Sequence, residues 1–383
     1  MNVLMLVSNP FTNDPRVYAE ARSLIRAGHS VTVIARDWTG ENPRQNWDGI
    51  EVIRLTSLLP PRPGLTALPA SYTALKHWQH KACREAVNLS RLTPLDVVHC
   101  HDIDTISVGN KLKRRLRASL VYDAHEIYGY MMMGSLHHWP WPTIGKMILW
   151  QEKRLLVHID QLVTVNESAQ EYFAKVTRKP VSVVMNCKPL QRAEYEPPPT
   201  NRSFTVLYIG SLGATRGINM LVDAASPLTG VQCVIGGTGD PAYVRVLQQK
   251  CQTAPNVQFI GKVPFDEVIP RTKEADAVFC MFDPGEMNNV VGSPNKLFEA
   301  MACGRPIICT RGIYSGNLTD REETGLTAGY NRESLTQVLA KLRDDPQLRE
   351  KLGRNALRAA MTKYNWQKQE ETLLDVYRTI RRS

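Results

Sequence analysis

The sequence predicts two α/β domains, each a doubly wound, Rossmann-like parallel sheet, joined by a short spacer. Three observations carry that expectation. Short continuous apolar runs, of the kind buried in parallel sheets, alternate with helix-like stretches along the chain. The alternation breaks once, at the polar segment 194–203 (EYEPPPTNRS), and then restarts. A chain of 383 residues, 43% hydrophobic and 22% charged, is long enough for two buried cores.

The first element is the apolar run 3–7 (VLMLV), followed by a turn-rich loop over 8–15. Asp14 followed by Pro15 makes an N-cap and a first helical residue. Val17, Ala21, Leu24 and Ile25 share one helical face, Gly28 ends the helix, and 31–34 (VTVI) is the next strand. Further strands are expected at 52–55, 97–100, 120–123, 162–165 and 181–184, then at 205–209, 231–235, 257–260, 277–280 and 306–309. The expected division is a domain over 1–190, a linker over 191–203 and a second domain over 204–365. A final helix over 366–383 is expected to cross back to the first domain.

Composition narrows the function. The longest apolar runs fall short of the ~18–20 residues that cross a bilayer, and no basic leader with a cleavage site is visible. The eight cysteines are scattered without a C-x-x-C pair, which reads as buried reduced thiols in a cytoplasmic protein rather than a disulfide framework or zinc site. A net charge of +10 favours anionic partners. Zinc-finger spacing, RNP-like strands and heptads are all missing, so nucleic acid is not expected.

Ligands of open parallel sheets bind beyond the carboxyl ends of the strands, which directs attention to the segments after them. One is 210–217 (GSLGATRG), where Gly213 lets backbone approach a phosphate and Arg216 can fork onto its oxygens. A second, 236–240 (GGTGD), is neither G-x-G-x-x-G nor a P-loop; around Gly237 it could admit a base or ribose, or be only a tight turn. The third, 292–306 (GSPNKLFEAMACGRP), carries most weight. Ser293 is expected to cap a helix of about three turns that starts at Pro294 and ends at Gly304. Asn295 and Lys296 would lie near its positive end, where phosphate binds. Glu299, a turn deeper, could accept from a ribose diol or merely offset the helix dipole.

Residues 206–217 and 293–306 resemble the donor-binding half of retaining GT-B glycosyltransferases of the glycogen-synthase and mannosyltransferase type (glycosyl transferases group 1). The segments 14–17 (DPRV), 27–33 (AGHSVTV), 96–102 (DVVHCHD) and 122–126 (YDAHE) are similar to the family's first half. The resemblance implies two Rossmann-like domains facing each other across a cleft and transfer of a sugar, with retention, from a nucleotide diphosphate donor to a glycan or lipid-linked hydroxyl. The donor would be a UDP-, GDP- or other nucleotide sugar, acting as co-substrate with no further cofactor. By position, Arg216 takes the place of the family's diphosphate lysine, Glu299 its ribose carboxylate, Lys296 and the backbone near Ser293 its phosphate site, and His125 a histidine that contacts the donor sugar.

Two positions depart from the pattern: Ser211 replaces a diphosphate arginine and Val291 the first glutamate of Glu-x7-Glu. Lys296 or Lys262 could replace the charge, and Glu286 or Asn289 could reach the sugar. A degenerate nucleotide-sugar-binding subunit, or a GT-B sugar-nucleotide epimerase, is the rival reading. His99, His101 and Asp102 superficially resemble a metal cluster, but no metal is expected: Arg216, Lys296 and a helix N-terminus can neutralise the leaving diphosphate. The basic run 111–117 and the tryptophans Trp139, Trp141 and Trp150 suit either a solvated helix and a core, or peripheral contact with an anionic membrane at its inner face.

Overall fold

A computed structural model describes residues 1–12, 14–57, 68–135, 140–199 and 202–382. The chain divides into two compact units, Met1–Val184 with Glu370–Ser383, and Met185–Gln369. The last helix, Trp366–Arg382, starts in the second unit and from Glu370 belongs to the first.

The first unit holds eight strands: β1 Asn2–Val7, β2 Ser30–Asp37, β3 Arg44–Trp47, β4 Ile50–Thr56, β5 Val97–His101, β6 Ser119–Ala124, β7 Gln161–Thr164 and β8 Val181–Val183. Their order is β3-β4-β2-β1-β5-β6-β7-β8, parallel except for the β3–β4 pair. The connecting helix Pro15–Arg26 begins as anticipated, with Asp14 Oδ1 accepting from the Val17 amide at 3.1 Å. Val17, Ala21 and Leu24 are buried against the sheet; a fully buried Val or Leu contributes about 1.5–3 kcal/mol. Gly28 ends the helix at φ +82°, a conformation that favours glycine.

The second unit holds β9 Phe204–Leu212, β10 Val231–Gly239, β11 Val257–Gly261, β12 Ala277–Cys280, β13 Ile307–Thr310 and β14 Gly325–Ala328. All are parallel, in the order β11-β10-β9-β12-β13-β14. Strand order reverses between β1 and β5 in the first sheet and between β9 and β12 in the second. These switch points are where open α/β sheets receive ligands.

Two strands have no signal in the sequence, and one expectation is corrected. The edge strand β3 (RQNW) is largely exposed and polar, so it has no apolar alternation to betray it. The short β14 (GLTA) is equally silent in the sequence. Residues 236–239 are not a loop. They continue β10, with Gly237 opposite Gly210 and Gly239 opposite Leu212. A Cβ on Gly237 would stand 1.7 Å from the Gly210 carbonyl oxygen, and one on Gly239 2.0 Å from that of Leu212. Close strand approach therefore accounts for both glycines.

Candidate active site

In the second unit, β9 leads into the single turn Ala214–Arg216 and Gly217 at φ +65°, which starts the helix Ile218–Ala225. The turn sets Arg216 over the end of β12. Its guanidinium carbon lies 4.7 Å from the Phe282 ring centre. The Asp283 amide donates to the Thr215 carbonyl at 2.9 Å, tying the two strand ends together. Arg216 also donates to Asn289 Oδ1 at 3.2 Å, and Asn289 is fixed in turn by donating to the Asp283 carbonyl at 3.1 Å.

Lys296 reaches the same place from another element. It is the second residue of the helix Asn295–Ala302, and its Nζ lies 5.2 Å from the Phe282 ring centre and 4.5 Å from that of Tyr208. A Cβ on Gly210 would come within 3.1 Å of that ammonium, so glycine leaves it room. Neither cation has an ion pair with a carboxylate among the described residues. Cation–π contacts contribute about 0.5–2 kcal/mol, less than a charged partner would give. Two cations thus converge on one aromatic ring at a sheet switch point, an arrangement that could hold an anion.

Glu299, on the same helix, is 8% exposed and pairs with Lys188 Nζ at 3.3 Å. Its carboxylate is thus anchored, while its second oxygen can accept elsewhere. The N-cap is Pro294, not Ser293, and the helix spans eight residues rather than about three turns. Gly304 (φ +65°) stops it: the Gly304 amide donates to the Met301 carbonyl and the Arg305 amide to that of Ala300. Asn295 is exposed and Gly213 half-buried, each at the start of its own helical turn. Gly237 lies inside the β9–β10 ladder. Of the suggested substitutes for the departures, Asn289 is brought to Arg216, Glu286 is buried at the start of the Met287–Val291 helix, and Lys262 is exposed beyond β11.

In the first unit, the ends of β5 and β6 carry a buried ionic network. Arg16 grips Asp123 with two hydrogen bonds, at 2.9 and 2.7 Å, and lies 3.2 Å from Glu20. Asp123 Oδ2 also meets His101 Nδ1 at 3.2 Å and His125 Nε2 at 3.0 Å. The other face of His125 is held by Asp102, which lies 3.3 Å from Nδ1 and accepts from the His125 amide at 3.2 Å. Asp102 precedes the helix Ile103–Leu116 with φ +62°, and its carboxylate makes no capping bond there. A non-glycine residue in that conformation costs about 1–3 kcal/mol; its carboxylate serves His125 instead.

Burial would push the His125 imidazole down, but Asp102 and Asp123 outweigh it and raise it to about 10. Burial raises Asp102 to about 6 against the pull of His125. Burial opposes the Asp123 charge too, yet Arg16 and His125 hold its carboxyl well below the usual range. Glu20 is held well above that range by burial and by Asp123, and burial keeps His99 and His101 low. At neutral pH, Arg16 and His125 are therefore cations balanced by Asp123 and Asp102, while His99 and His101 are neutral. Glu20, His99, His101 and Asp123 each offer one atom within 4.8 Å of the others, a spacing that could hold a metal ion. Arg16 already lies against both acidic side chains, 2.7 Å from Asp123 and 3.2 Å from Glu20.

Sequence reasoning missed Lys188 and Phe282, which have no motif, and left Arg16, Asp102 and Asp123 without roles inside the segments 14–17, 96–102 and 122–126. The signal for the last three was charge confined to strand ends and an apolar helix face. Elsewhere, Trp141 is buried, Trp150 is exposed and Trp139 lies outside the described residues. None of the eight cysteines forms a disulfide, and seven of them are buried. Among the described residues, no helix is long and apolar enough to cross a membrane.

Comparison with known proteins adds likenesses in sequence and in fold. Residues 14–187 match the glycosyl transferase 4-like domain and residues 203–345 the glycosyl transferases group 1 domain. An uncharacterized glycosyltransferase of Methanocaldococcus jannaschii is 24% identical over 381 residues, covering 94% of this chain and 92% of the relative. Sucrose-phosphate synthase from Thermosynechococcus elongatus has a similar fold, with a TM-score of 0.80, 17% identity and 99% of both chains covered. Anabaena HepE in complex with UDP-glucose does too, with a TM-score of 0.72, 16% identity, and 99% of this chain and 100% of that one covered.

Proposed function

The chain belongs to the group 1 glycosyltransferases and has the GT-B fold, and from that premise we propose that it moves a sugar from a nucleotide diphosphate donor to a glycan or lipid-linked hydroxyl with retention of configuration. The observation that carries this reading is the Arg216–Lys296 pair, two cations without a carboxylate partner among the described residues. The UDP-glucose bound by Anabaena HepE supports a nucleotide sugar as the donor.

In the proposed mechanism Arg216 and Lys296 bind the diphosphate, aided by the backbone around Gly213, Ser293 and Asn295. Glu299, steadied by Lys188, accepts from the ribose diol. The bond from the anomeric carbon to the diphosphate oxygen breaks, and its electron pair leaves with the diphosphate. The two fixed cations stabilise that charge as it forms, so no divalent metal is required. The acceptor oxygen then bonds to the anomeric carbon on the same face, and the proton it releases passes to the departing diphosphate oxygen. His125 is assigned to the donor sugar as an imidazolium balanced by Asp102 and Asp123; the longer contact, to Asp102, is the one a sugar hydroxyl can share. No side chain is assigned as general base.

Ser211 and Val291 favour one rival, a subunit that binds nucleotide without transferring sugar. A thermal-shift series with UDP, GDP, ADP and TDP tests the binding half of the proposal. A ligand at 100 times its dissociation constant adds about 2.7 kcal/mol to stability. At least one diphosphate should raise the melting temperature, and the double variant Arg216→Ala, Lys296→Ala should abolish the rise. No rise with any of them would overturn the site.

A further inference from the structure

The helix Trp141–Leu155 in the first unit has one face that the fold uses and one that it does not. Inward, Gly145 packs so closely on the helix Tyr128–Ser135 that an added Cβ would meet Met133 at 2.3 Å, and buried Glu152 accepts from the Tyr122 hydroxyl at 2.7 Å. Outward, Met147 and Trp150 are 64% and 61% exposed, and Val157, just past the helix, is 65% exposed. Large apolar side chains at this spacing form a stripe rather than scattered surface residues.

The stripe is flanked by cations. Lys146, Lys153 and Arg154 are exposed beside it, and the Arg154 guanidinium carbon sits 4.6 Å from the Trp150 ring centre. No exposed residue between 141 and 158 is acidic, since Glu152 points inward. The neighbouring helix Ile103–Leu116 extends the positive surface. Its Asn110 donates to the Leu155 carbonyl at 3.3 Å, and Lys111 and Arg114 stand exposed near that contact.

We propose that this face docks the protein on an anionic lipid bilayer, with Trp150 and Met147 entering the headgroup boundary and the surrounding cations facing lipid phosphates. Apolar side chains beside cations, on a helix lying along the surface, are the pattern of interfacial binding. Tryptophan suits that depth because its ring is apolar at one end and polar at the other. A protein partner of matching acidity would also meet the cations, but the absence of any exposed carboxylate between residues 141 and 158 favours a uniformly anionic surface.

Flotation with vesicles of phosphatidylcholine alone, and with about one-third phosphatidylglycerol, tests this. The full chain should bind the anionic vesicles, release from them as salt rises, and not bind the zwitterionic ones. Lys146→Gln, Lys153→Gln, Arg154→Gln together should weaken binding about a hundredfold, three cations at about 1 kcal/mol each. Met147→Ala, Trp150→Ala should weaken it about tenfold or more. These positions are exposed, so both variants should fold and keep the parent's nucleotide-induced thermal shift. That readout separates failure of docking from failure of the donor site. No binding to anionic vesicles, equal binding to both kinds, or binding unchanged in both variants would overturn the proposal. So would a dimer dissolved by Trp150→Ala with no vesicle binding, which would make the face a contact between two copies of this chain.

Discussion

Asp102→Asn should loosen the proton on His125. In the parent, burial works against the imidazolium, but Asp102 and Asp123 hold it up at about 10. Unit charges at the 3.3 Å separating Asp102 from His125 attract by about 5 kcal/mol at an effective dielectric of ~20. The His125 side chain is 20% exposed and Asp102 32%, so solvent screening roughly halves that figure. The remainder corresponds to a fall of about two pKa units. Asparagine keeps an acceptor for the His125 amide, so the fold should survive. The assay is an NMR titration of the His125 ring protons in both proteins, above the value of about 6 at which Asp102 itself titrates. Stability gives a second readout. Because the folded value is raised, the native state binds more protons than the unfolded chain between about 6.5 and 10. This contribution is full below about 6.5 and is lost as pH rises through about 10; the variant should lose it at lower pH. A parent His125 that titrates near 6.5, or one indifferent to the substitution, would refute the reasoning.

Gly237→Ala should cost more than about 3 kcal/mol in urea denaturation, because its Cβ would overlap the Gly210 carbonyl oxygen. Gly28→Ala, with open space around it, should cost only about 1–2 kcal/mol for its left-handed backbone. Glu299→Gln should lower donor affinity about tenfold in calorimetry, since charge-assisted hydrogen bonds are roughly twice as strong as neutral ones. The same variant leaves the mostly buried Lys188 without its carboxylate and should lose about 1–3 kcal/mol of stability. Activity should survive EDTA; complete loss restored by manganese would overturn the reliance on fixed cations.

The repeating architecture was legible because buried parallel strands must be apolar, and all twelve apolar runs taken for strands are strands. What stayed hidden depended on partners distant in sequence. The strand β3 is held by its antiparallel neighbour rather than by its own residues. The glycines at 236–239 look like a turn because sequence shows their freedom but not the Gly210 oxygen that requires it. Arg216 and Lys296 could be named from local pattern, whereas Phe282 between them could not, since an aromatic residue after a strand is ordinarily core. Lys188 precedes its partner Glu299 by more than a hundred residues, so no spacing announces the pair. The Asp102–His125–Asp123 bracket was missed for the same reason: its members sit on two strand ends that only the sheet brings together.

The central claim is that Arg216 and Lys296 stabilise a departing diphosphate, and the most direct test is release of nucleoside diphosphate from a panel of nucleotide sugars by the parent and by Arg216→Ala. The parent should release diphosphate from at least one donor. The variant should turn that donor over about a hundredfold more slowly or worse, as when one fixed donor to a developing negative charge is removed, while its affinity for the nucleoside diphosphate falls less. A parent that binds nucleotide sugar but releases no diphosphate with any donor, or a variant that turns over at the parental rate, would contradict the account.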